Sequence, residues 1–158
     1  MLHKKIVYIA ALSIMMLAAF MTSIPAQAAN RMCPYCAMPL GAPSTQVWLT
    51  SGSKKVAYRC VYCAVSEAKT EYKGNLTIKA PTENSRKPLI IKRTGGHWSS
   101  NLKGASFVGN MKVHHKSCPT SEHAFTSSAA AKKYIAQHKD VLSNGMLMNF
   151  NQFIAMTK

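Results

Sequence analysis

Acidic side chains are scarce: the 158 residues carry five Asp and Glu against 20 Lys and Arg, for a formal net charge of +15. Glu67, Glu71, Glu83, Glu122 and Asp140 are too few and too scattered to assemble paired general acid–base machinery. A nucleophile elbow, a glycine-rich phosphate loop and an H-E-x-x-H sequence are missing as well, so the sequence argues against an enzyme. Extended apolar runs are also few. Ile6 to Met21 is the notable one, and it is shorter than the roughly 20 residues that a spanning helix needs. Basic residues never occur in blocks longer than two, which speaks against a nucleic-acid groove, and no internal repeat is present.

What remains is 47% hydrophobic and 16% charged, the composition of a globular domain or of two small units sharing a core. The N-terminus reads as a secretory leader. His3-Lys4-Lys5 supplies a basic start, Ile6 to Met21 the apolar run, and Ala26-Gln27-Ala28 an A-x-A cleavage sequence. Residues 1–28 are therefore expected to be removed, leaving 29–158 as a periplasmic or secreted protein. Asn30-Arg31-Met32 before Cys33 does not spell a lipobox. The dispersed basic charge fits weak contact with a membrane surface or with an acidic partner protein, and not nucleic acid.

Five cysteines follow the leader: Cys33, Cys36, Cys60, Cys63 and Cys118. The first four form C-x2-C-x23-C-x2-C, the spacing of a zinc site, although an oxidising compartment would also permit two disulfides in any of three pairings. Cys33-Pro34-Tyr35-Cys36 is spelled like a thiol–disulfide active site. That chemistry needs a strand before the motif and a helix after it, whereas Pro39, Gly41 and Pro43 oppose a helix, so the pair is expected on a knuckle-like turn.

The second pair sits otherwise. Lys55 to Arg59 reads as a strand, and Val61, Ala64, Val65, Ala68 and Tyr72 recur at helical spacing, which places Cys60 and Cys63 in the first turn of a helix ending at Lys73-Gly74. Thr45 to Thr50 and Lys54 to Tyr58 form a hairpin turning at Ser51-Gly52-Ser53. Knuckle, hairpin, then a C-x-x-C opening a helix is the order of a treble-clef metal module. Further strands are expected at Leu76 to Lys79, Leu89 to Lys92, His97 to Leu102, Ser106 to Val113 and Met146 to Phe150, with helices at Ser127 to His138 and Asn151 to Met156. The expected fold class is α+β: two small strand–helix halves, about 29–80 and 81–158, packed together.

Cys33-Pro34-Tyr35-Cys36-Ala37-Met38 resembles the C-x-x-C-G-M opening of the NosL family, accessory proteins that deliver copper(I) to nitrous-oxide reductase. The tail is similar too, His123 to Ser127 leading into Ala130 to His138. Ala37 stands where the family usually has glycine, and Cys118-Pro119-Thr120 where a Gly-Pro-Met segment is common. The resemblance implies an exported copper(I) carrier or chaperone whose partner is a client metalloprotein or a metal transporter. The residues themselves leave copper(I) and zinc both open, because copper(I) accepts two to four soft ligands and structural zinc a closed tetrahedral set. Candidate ligands are Cys33, Cys36, Met38, Cys60, Cys63 and Cys118. Met146 and Met148 share one strand face and are expected in the core. His114 and His115 precede Cys118 closely enough to join it, but read more simply as loop histidines. Met32 lies at a frayed end.

Overall fold

Alternating apolar residues build the first sheet. The computed structural model describes residues 31–110, 123–142 and 145–157; the chain divides into Met1–Arg31 and Met32–Lys158, and every element below belongs to the second unit. After a short 3-10 turn at Pro43–Thr45, strand β1 (Val47–Ser51) and strand β2 (Lys54–Tyr58) form an antiparallel hairpin. Gly52 takes the left-handed conformation that this tight turn requires, with φ of 57°. Helix α1 (Val61–Thr70) follows, then strands β3 (Leu76–Ala80), β4 (Leu89–Thr94) and β5 (His97–Ser100). The five strands make one antiparallel sheet in the order β2-β1-β3-β4-β5.

Strand β6 (Ser106–Asn110) opens a second sheet, of order β7-β6-β8, with β7 (His123–Phe125) and β8 (Gly145–Asn149). Helices α2 (Ser128–Gln137) and α3 (Lys139–Leu142) lie between β7 and β8, and helix α4 (Phe150–Met156) ends the described chain. The fold is α+β, with mixed helices and two antiparallel sheets. The change of sheet falls after Ser100, because the loop after Ala80 returns the chain antiparallel onto β3 through the Ala80–Leu89 pair. Of the strand expected at Ser106 to Val113, residues 111–113 lie outside the described residues.

Leu49, Ile78, Leu89 and Ile91 project from one face of the first sheet and are fully buried, each contributing about 1.5–3 kcal/mol of transfer free energy. Helix α1 buries Val61, Tyr62, Cys63, Ala64, Val65, Ser66 and Ala68, which is nearly its whole circumference. A helix apolar on all sides must be enclosed. Its residues join a single core cluster that also takes in Phe107, Ala124, Met148 and Phe153 from the second sheet and α4. Phe107 and Phe153 stack with centroids 4.0 Å apart. Met148 is buried and Met146 packs against the same cluster, as the shared strand face predicts.

Two cations finish the helices. Lys69, near the end of α1, donates from Nζ to the carbonyls of Ile154 (2.5 Å) and Thr157 (2.6 Å), holding the C-terminal segment; burial lowers its pKa. Arg93 extends the inward phase of β4 and binds the far end of α1 with its whole guanidinium.

Candidate metal centre

The first cysteine pair stands on a turn closed at both ends. Met32 bridges Pro39, the Cys33 N–H donates to the Met38 carbonyl at 2.8 Å, and the Ala37 N–H donates to the Cys33 carbonyl at 2.8 Å. Ala37 has φ of 55°, the left-handed region that a Cβ disfavours. The knuckle is tied to the end of the hairpin by Arg59, which donates from Nη1 to the Pro39 carbonyl at 3.0 Å. Tyr35 meets Tyr62 edge-on at 6.1 Å, joining the knuckle to α1.

The second pair opens α1. Cys60 is the N-cap residue, with extended backbone, and its Sγ accepts from the Cys63 N–H at 3.5 Å. A sulfur thus does what a serine or aspartate oxygen does at most helix starts. Cys63 faces inward three residues on. The two Sγ atoms stand 3.4 Å apart.

Three sulfurs then converge. The Sγ atoms of Cys33, Cys36 and Cys63 all lie within 4.8 Å of one another. Cys33 and Cys63 are buried and Cys36 is half-buried, so the group has one side toward solvent. None of the four cysteines of the two pairs is in a disulfide. A hydrogen bond from Cys63 holds the Cys33 thiol down at about 5 against the penalty of burial, with backbone hydrogen bonds from Arg59, Cys36 and Tyr35 adding to it. Burial pushes the Cys36 thiol up. One thiolate cradled between two further sulfurs is a soft, compact donor set, able to hold a thiophilic metal ion.

The sequence-derived ligand set is thus distributed unevenly. Cys33, Cys36 and Cys63 form the group; Cys60 adjoins it through Cys63 and serves as a helix cap. Met38 is half-buried and closes the knuckle through its carbonyl. Met32 is 52% exposed, with its backbone bridged to Pro39. Cys118, His114 and His115 lie outside the described residues. The turn at residues 34–36 and the absence of a helix directly after Cys36 remove the setting that a thiol–disulfide active site at the first pair would need.

Sequence reasoning missed the surroundings of Cys60. A cavity of about 480 Å³ is lined by Cys60 together with Arg59, Glu83, His123, Phe125 and Tyr134, while Cys33, Cys36 and Cys63 do not line it. Glu83 reaches across from the β3–β4 loop to accept from the backbone N–H of Thr126 at 3.0 Å and from its hydroxyl, fixing the start of α2, whose N-cap is Ser127. Desolvation of the His123 ring lowers its pKa, and the charge of Cys60 opposes that shift. The signal that could have found this wall is the pairing of a histidine with an aromatic in His123-Ala124-Phe125.

The fold and the sulfur group together define a small α+β protein with a thiol cluster suited to a metal ion. No family model matches the chain, and no curated protein matches it. Among solved structures it is similar to the crystal structure of the mercury-bound form of MerB2, with a TM-score of 0.58 and 13% identity over 78% of this chain and 64% of that one. At that identity the likeness is one of fold, and the chain spans less than two thirds of the MerB2 structure's length.

Proposed function

We propose that the chain is an exported carrier of copper(I), which it holds between Cys33, Cys36 and Cys63 and passes to a client metalloprotein or metal transporter. The observation that carries this reading is the three-sulfur group itself. Using the zinc–thiolate bond length of about 2.3 Å as a guide, three sulfurs in a plane around one ion stand about 4 Å apart. The observed spread, with every pair inside 4.8 Å, needs only a small contraction to reach that. Copper(I) accepts three soft ligands, and the half-exposed Cys36 gives the ion a side from which a partner can take it. The mercury bound by the structural neighbour is likewise a thiophilic ion, in keeping with this metal class. The resemblance of Cys33 to Met38 to the NosL opening, the leader sequence and the basic surface support the carrier role, the export and an acidic partner in turn.

A structural zinc site is the second reading, favoured by Cys60 lying 3.4 Å from Cys63 and hence within reach of a fourth coordination position. Reduced protein titrated against a copper(I) chelator separates the two. The carrier reading expects one copper(I) per chain, lost in Cys36→Ser and Cys63→Ser and retained in Cys60→Ser. Copurified zinc at one per chain that needs all four cysteines, with no copper(I) competition, would replace it.

A further inference from the structure

Cys60 is the sulfur that the carrier site does not use. It lies only 3.4 Å from Cys63, across one turn at the start of α1, and a disulfide of about 2.05 Å requires the pair to close by little more than 1 Å. It also differs from the other three in lining a cavity. Although its own surface is nearly all covered, Cys60 lines the 480 Å³ cavity, beside His123, Phe125 and Tyr134, and Cys63 does not line it. Cys63 therefore has two sets of sulfur neighbours: Cys33 and Cys36 within 4.8 Å, and Cys60 at 3.4 Å.

We propose that Cys60 and Cys63 are a redox pair, oxidised by a low-molecular-weight disulfide that enters this cavity, and that closing the bridge withdraws Cys63 from the three-sulfur group and releases its ion. The release half of the proposal rests on the carrier reading; the redox half does not. Cys60, as thiolate, attacks one sulfur of the entering disulfide, forming a mixed disulfide and expelling the first small thiolate. Cys63 then attacks the Cys60 sulfur and expels the second. In the metal-free protein two cysteine thiols lose two electrons to become one protein disulfide, the small disulfide gains them and becomes two thiols, and the two cysteine protons end on those thiols. In the loaded protein Cys63 starts as an ion-bound thiolate, so one of the two protons comes from solvent. The ion leaves because a sulfur locked in a disulfide is no longer a thiolate donor, and its charge is unchanged because both electrons come from the two sulfurs. Excess small thiol reverses both steps.

Oxidised glutathione is the probe. On metal-free protein, peptide mapping after alkylation should find a Cys60–Cys63 bridge, and Cys63→Ser should trap a glutathione adduct on Cys60. Cys60→Ser keeps a good helix cap, so the variant retains the fold. Loaded with copper(I), it should bind as the wild type does in reducing buffer, yet lose the ion to oxidised glutathione at least about tenfold more slowly. A first bridge between Cys33 and Cys36, an adduct on Cys36 with Cys60 unmodified, or equal loss from wild type and Cys60→Ser would overturn the proposal. Failure of Cys60→Ser to bind copper(I) under reducing conditions would overturn it too, by making Cys60 a ligand. A bridge that forms in a protein unable to bind copper(I) would refute the carrier reading and the release step while leaving the redox pair standing.

Discussion

The guanidinium of Arg93 donates to the carbonyl of Ala68 at 2.7 Å, and with its other nitrogens to Tyr72 at 2.7 Å and Gly74 at 2.9 Å. One strand side chain thereby caps the C-terminal end of the helix whose first turn carries Cys60 and Cys63. The planar face lies over Trp98 at 5.4 Å, so the fork is fixed in orientation as well as in place. The helix that presents the thiols is thus held at its far end by β4.

Arg93→Lys should therefore be poorly tolerated. An ammonium cannot span three carbonyls in a plane, and the buried acceptors left unpaired should cost about 2–4 kcal/mol. Urea denaturation of the two proteins checks this. A midpoint unchanged from wild type would show that the three bonds add nothing beyond solvation.

Ala37 bears on the knuckle. Its φ of 55° places a Cβ in the left-handed region at a cost of about 1 kcal/mol, which glycine does not incur. Ala37→Gly should stabilise the protein by up to about 1 kcal/mol with the thiol group unaltered, offset in part by the greater entropy of the unfolded chain. Thermal denaturation with a parallel copper(I) titration measures both, and a loss of stability would mean that the turn relaxes in solution.

The thiols should titrate unequally. The folded-state pKa of Cys33, about 5, lies below the ordinary 9.0, so its contribution to stability is full above the unfolded value and is lost as pH falls from near 9 through 5. Metal-free protein should accordingly show thiolate absorbance that disappears with a midpoint near 5, while Cys36, whose pKa burial raises, stays protonated through neutral pH. Titration of all the thiols together near their ordinary value would contradict this arrangement.

Much of this was legible in the residues. Gly52 between two alternating runs, the 3.6-residue recurrence after Cys60 and the breakers after Cys36 predict the knuckle, hairpin and helix in their observed order. Arg93 carried a signal too, since it continues the inward phase of Leu89 and Ile91, but period-two alternation does not say which carbonyls an inward guanidinium will find. Nor does C-x-x-C spacing separate a ligand from a cap. Cys60 and Cys63 look equivalent in sequence, and only the extended φ of −147° at Cys60 turns its sulfur back onto the Cys63 N–H. Pairing of β4 and β5 into the first sheet was likewise hidden, because strand partners depend on contacts far along the chain.

X-ray absorption at the copper edge, on reduced protein loaded with one copper(I), most directly tests the central claim that Cys33, Cys36 and Cys63 hold the ion. The expected result is three sulfur neighbours at a single distance, with an identical spectrum from Cys60→Ser and a changed one from Cys63→Ser. A spectrum with four sulfurs in the wild type that drops to three in Cys60→Ser, or one left unaltered by Cys63→Ser, would contradict the three-sulfur site.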